Sequence, residues 1–156
     1  MKPSIPKLAI EFIKADIERE IRLASLSEKK TYGLAAKLFR LPYGGGNFMC
    51  AMGLMCYTEF FGKQLGIKRG SRGNFDSFFA KLGKPYEELI AEHKIYDIFR
   101  CGLAHEYLIK KPGTIYMFGD VSPALGFTES GDTYFVVEQY YKDLMAAAER
   151  EFVVTE

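Results

Sequence analysis

Residues that carry proton and metal chemistry are scarce in this chain of 156 residues, which has two histidines and three cysteines. Cys50, Cys56 and Cys101 are odd in number and form no Cys-x-x-Cys pair. Neither a disulfide framework nor a zinc knuckle is therefore expected, and the thiols read as reduced and buried. The histidines add no ligand spacing, so no metal and no cofactor is expected. An excess of one charge is also missing. Twenty-one Lys and Arg against 20 Asp and Glu give a net charge of +1, which excludes a strongly basic nucleic-acid coat but leaves room for a local basic patch. The most apolar run, Phe48 to Tyr57, is far too short to span a bilayer. Charges are spread through Met1 to Glu20, so no signal peptide is visible. A cytoplasmic protein without a membrane partner is expected.

What is present is the balance of a globular protein: 48% hydrophobic, 26% charged and 15% aromatic residues. That length and balance suit one domain over residues 1–156 with a core of its own. Ile10, Ile13, Ile17, Ile21 and Ala24 recur at helical steps and predict a first helix from about Ile5 to Ala24. A second piece, Lys29 to Arg40, is ended by Pro42. The glycines of LPYGGGN precede a helix, but no Gly-Lys-Ser/Thr follows them, so they read as a connector with Asn47 as N-cap. Phe48 to Leu65 is apolar on nearly every face and predicts a central buried helix. Its Glu59 must find a partner or stand where the helix emerges into solvent, and the solvent exit is the simpler expectation. After the basic loop GIKRGSRGN, Asn74 is placed to cap FDSFFAKL, Gly83 to end it, and Pro85 to open the next helix. That helix is expected to break near His93. Beyond KKPG the period changes to β-type runs, TIYMF, ALGFTE and TYFVV, and Ser130-Gly131-Asp132 suits the turn of an antiparallel hairpin. A final helix is predicted over Glu138 to Phe152. The fold class is mainly α, with a small β-hairpin before the C-terminal helix.

The run YDIFRCGLAHEYLIKKP carries the chemistry. On an α-helix, with about 100° per residue, Asp97, Cys101 and His105 share one stripe, and Arg100 lies on the next with Tyr96 and Tyr107. Five-residue spacing is poor for a contact between Arg100 and His105, although the arginine is long and Gly102 lets the helix deform. Asp97 stands where it could hold Arg100 by a charge-assisted bond. A histidine moves protons near neutral pH and an arginine grips a phosphate through two parallel hydrogen bonds. Together they suit cleavage of a phosphodiester by its own 2′-hydroxyl. Lys63, Lys68, Arg69 and Arg72, with Lys110 and Lys111, could follow an RNA backbone. The plainer reading is a surface ion pair between Asp97 and Arg100 and a helix-end His105. A Cys101–His105 nucleophilic dyad fits poorly, because Cys101 is far from a helix N-terminus.

RCGLAH has the form Arg, four residues, His, and its surroundings resemble the small bacterial members of the HEPN superfamily of helical domains. The resemblance covers roughly Asn47 to Phe152. It implies a HEPN-like four- to five-helix bundle, often dimeric, and in many members a metal-independent endoribonuclease serving as toxin or antiviral effector. By position, Arg100 would contact the phosphate and His105 would be the general acid/base, with Asp97 and Tyr107 in support. Active members often carry a polar residue, commonly asparagine, directly after the arginine; here that place holds Cys101. The expected partners are RNA, a second copy of the chain and an antitoxin protein. The other class left open is a non-catalytic HEPN-like module that binds RNA, nucleotides or proteins.

Overall fold

The structure, a computed structural model, describes residues 2–27, 33, 37–38, 46–66, 70–106 and 109–156. Within them lie five α-helices: α1 (Lys7–Ser27), α2 (Asn47–Gln64), α3 (Gly70–Phe79), α4 (Lys84–Glu92) and α5 (Val137–Glu151). A short 3₁₀ turn, Ala80–Leu82, follows α3, and a π-helix, Tyr96–Glu106, follows α4. Strands β2 (Gly113–Tyr116), β3 (Leu125–Phe127) and β4 (Thr133–Val136) form a sheet in the order β2-β4-β3 before α5. A second sheet pairs β1 (Ser4–Pro6) in parallel with β5 (Val153–Thr155). Among the described residues no helix is long and apolar enough to cross a membrane.

The predicted hairpin is present. β3 and β4 run antiparallel, with Phe127 opposite Thr133, and Gly131 takes the left-handed conformation (φ 85) that the turn between them needs. The run TIYMF also supplies a strand, β2 (Gly113–Tyr116), but its parallel pairing with β4 was not predicted. The first helix starts later than Ile5, because Ser4–Pro6 is pulled into a strand by the C-terminal tail. That pairing spans nearly the whole chain, and local periodicity does not report it. Most of the predicted helix Lys29 to Arg40 and most of LPYGGGN fall outside the described residues.

Two assignments at helix ends, and one of burial, are corrected. Gly46, not Asn47, is the N-cap of α2; the Asn47 side chain instead donates to the Ile115 carbonyl at 3.0 Å and ties the helix start to β2. Asn74 is inside α3, which begins at Gly70 rather than at Phe75. The helix α2 is not buried on every side. Cys50, Leu54, Met55, Thr58 and Phe61 face the core, while Met49 is exposed.

Aromatic residues dominate that core. Phe61 stacks on Phe78 (4.9 Å between centroids) and Phe75 on Phe79 (5.3 Å), and Phe79 meets Tyr86 edge-on at 5.2 Å. Such pairs contribute about 0.5–1.5 kcal/mol each beyond their buried area. The phenols among them are satisfied. Tyr140 shares a 2.8 Å hydrogen bond with Thr58, and the Tyr86 oxygen accepts the Ala124 N–H at 2.9 Å while donating to Asp143. This core fixes α2, α3 and α5 and holds the π-helix against α2 through the buried Phe99 and Leu103.

Candidate functional site

The π-helix explains why Arg100 and His105 meet. Its hydrogen bonds run from residue i to i+5, so each turn is wider than in an α-helix and residues five apart come closer to a common face. Arg100 Nη1 lies 3.3 Å from His105 Nε2. An arginine N–H only donates, so a hydrogen bond in this contact requires the tautomer in which Nε2 accepts and Nδ1 carries the proton. His105 is exposed and Arg100 is largely buried, with 17% of its side chain accessible. Gly102 sits buried in the middle of the widened segment.

The far edge of the guanidinium faces Glu59 on α2. Arg100 Nε and Glu59 Oε2 are 2.8 Å apart, and the glutamate side chain is 19% exposed. Glu59 does not stand at a solvent exit; its carboxylate meets a cation inside the fold. The contact is an ion pair rather than a hydrogen bond, because the N–H is out of line and both atoms lack a hydrogen-bonded partner. Removing one member of a fully buried pair costs about 3–5 kcal/mol, and the residual exposure here makes the cost smaller. A recess of about 240 Å³ opens beside the pair, lined by Cys56, Phe60, Lys63 and Asn74 as well as the two charged residues. Burial pushes the Cys56 thiol up from its ordinary pKa, with Arg100 acting against the shift.

Tyr96 lies beside two cations. Arg100 lies 5.8 Å and Arg72 5.4 Å from its ring centre, a distance at which a cation is attracted by the aromatic face. Burial, and then the nearby Glu59, push the Tyr96 phenol up. Arg72 reaches this place from α3, where its Nη2 pairs with Asp97 Oδ1 at 2.5 Å. Asp97 thus holds Arg72 and not Arg100. The α-helical stripes of the sequence do not survive the change of helix type, and the Asp97 carboxylate is engaged by Arg72 instead.

The remaining basic candidates are dispersed. Lys63 lines the recess at Arg100. Lys110 is paired with Glu106 at 2.8 Å, one residue beyond His105, and Lys111 lies over the Phe127 ring at 5.0 Å. Lys68, Arg69 and Tyr107 lie outside the described residues. Cys101 is half-buried. The second histidine, His93, packs on Phe127 with 4.3 Å between ring centres and takes no part in the cluster.

Sequence reasoning missed Glu59 and Tyr96 as members of the site. A signal existed for Glu59, a lone carboxylate in an apolar helix. For Tyr96 there was none beyond its position one helical turn before Arg100.

No family model matches the chain, and no curated protein and no solved structure is significantly similar to it.

Proposed function

We propose that this chain is a metal-independent endoribonuclease of the HEPN type, acting as a toxin or antiviral effector in the cytoplasm. The observation that carries the reading is the 3.3 Å approach of Arg100 Nη1 to His105 Nε2 on a π-helix. In this reading the exposed imidazole is the proton carrier and the guanidinium beside it grips the phosphate. Arg72, which shares the Tyr96 ring with Arg100, and Lys63, which lines the recess beside Arg100, would supply positive charge for the neighbouring phosphates.

In this reading the 2′-hydroxyl oxygen attacks the adjacent phosphorus as a base takes its proton. The P–O5′ bond breaks, and an acid protonates the departing 5′-oxygen. The products are a 2′,3′-cyclic phosphate and a 5′-hydroxyl. Arg100 stabilises the charge that develops on the phosphate oxygens. One His105 is base or acid, not both at once, so the site is completed in a homodimer whose two-fold axis brings two motif helices together. An antitoxin protein is the expected regulator, covering the Arg100–His105 edge. The four- to five-helix HEPN bundle is the fold assumed here, and Lys68, Arg69, Lys110 and Lys111 are assigned to the outer RNA track.

A second reading, a non-catalytic HEPN-like binding module, is favoured by Cys101, whose half-buried thiol occupies the place where a polar residue commonly follows the arginine. Product analysis separates the two. The enzyme is expected to cut RNA in excess chelator, to leave 2′,3′-cyclic phosphate ends, and to leave intact a strand with 2′-deoxyribose at the cut site. Binding of RNA with no cleavage selects the module.

A further inference from the structure

Among the described residues the guanidinium of Arg100 contacts Glu59, His105 and Tyr96, and none of these contacts is a well-formed charge-assisted hydrogen bond. Its Nε is 2.8 Å from Glu59 Oε2 but out of line with it, so a buried donor and a buried acceptor face each other unsatisfied. Its Nη1 reaches His105 at 3.3 Å, beyond the usual range for N–H donors. Its third neighbour is the Tyr96 ring, with the centre at 5.8 Å. A phosphate is gripped by two parallel N–H groups of one edge of the guanidinium. With the Nε edge turned to Glu59, the edge left for a phosphate is the Nη1–Nη2 pair, and His105 now occupies half of it.

We propose that Glu59 is the positioning residue for Arg100. A phosphate entering beside His105 replaces the imidazole at Nη1, and the guanidinium turns so that its Nε–H comes into line with Glu59 Oε2. The orphaned donor and acceptor are then satisfied by the same motion that frees His105 for proton transfer. Catalytic hydrogen bonds that are long or misaligned in the free protein commonly tighten only when substrate is bound. The location of Glu59 on α2, a helix anchored in the aromatic core, gives the arginine a rigid reference point. The kinetic part of this proposal rests on the ribonuclease reading, whereas the alignment of Nε–H does not.

The test therefore has two arms. In the first, Glu59→Gln is expected to lower kcat by about 10²-fold with little change in KM, the scale of a misplaced catalytic group. Glu59→Asp keeps the charge and is expected to recover part of the loss. Free guanidinium ion is expected to restore cleavage to Arg100→Ala and to fail with Arg100→Ala/Glu59→Gln. Wild-type kcat in Glu59→Gln, or equal rescue of both arginine variants, would overturn the proposal. The second arm needs no cleavage. Nitrogen-15 NMR follows the Arg100 Nε–H signal with an RNA made uncleavable by 2′-deoxyribose. Slowed exchange with water on binding, lost in Glu59→Gln, supports the alignment, and free exchange in both overturns it. Absence of cleavage by the wild type counts against the ribonuclease reading alone, because the NMR arm still decides the role of Glu59.

Discussion

Gly62 and Asn74 are in backbone contact: a β-carbon on Gly62 would stand 1.7 Å from the Asn74 carbonyl oxygen. The close crossing of α2 and α3 keeps Lys63 and Asn74 in one recess with Arg100. Gly62→Ala must push the helices apart and is expected to destabilise by about 1–3 kcal/mol or more. Gly53, on the same helix, offers a contrast, since a β-carbon there meets only Tyr57 at 3.7 Å and Ile17 at 3.8 Å. Gly53→Ala is expected to stabilise by about 0.4–1 kcal/mol through the unfolded chain. Thermal melts of the two variants against wild type measure both signs.

Tyr86 joins α4 to α5 and to the segment before β3 through one oxygen. Burial and the hydrogen bond to Asp143 push its phenol far up, so it stays protonated and donates to the carboxylate while accepting from Ala124 N–H. Tyr86→Phe leaves a buried N–H and a carboxylate oxygen without this partner. The expected loss is about 1–3 kcal/mol, read from the urea midpoint.

Alkaline pH is expected to weaken the fold, with the sign set by Cys50. Burial first, and Glu20 second, raise its thiol from 9.0 to about 11. The unfolded thiol ionises first, so the stabilising contribution is complete below pH 9 and is lost as pH rises through about 11. Tyr57, raised by burial and by its bond to Asp16 from 10.0 to about 12, extends the decline. Denaturant midpoints measured between about pH 8 and pH 11 should fall, and Cys50→Ala should flatten the fall above about pH 9.

How much of this was legible in the sequence follows from the range of each interaction. The apolar steps of α1 and α5, the break near His93 and the turn at Gly131 are local, and residues a few positions apart report them. The strand pair Ser4–Pro6 with Val153–Thr155 joins the two ends of the described chain, and no local pattern contains it. The Arg100 and His105 positions were legible as chemistry, but their contact depends on the helix widening to i+5 bonding. Counting at about 100° per residue gave Asp97 to the wrong arginine. Glu59 was visible only as an anomaly, since its partner lies on another element.

A dimer in solution is expected from the proton economy of the reaction, which calls for two histidines at one site. Light scattering at micromolar concentration measures it. A monomer that retains full activity removes the composite site, and the second proton carrier must then come from elsewhere in the same chain.

The most direct measurement is the cleavage rate of one RNA in excess chelator by four proteins: wild type, His105→Ala, Arg100→Ala and His93→Ala. Loss of the proton carrier is expected to cost about 10²–10⁴ in rate, and loss of the guanidinium a comparable factor. His93, packed on Phe127 away from the cluster, should tolerate alanine with its rate nearly intact. Cleavage that survives both Arg100→Ala and His105→Ala would contradict the account, and Arg100 would then be no more than the structural partner of Glu59.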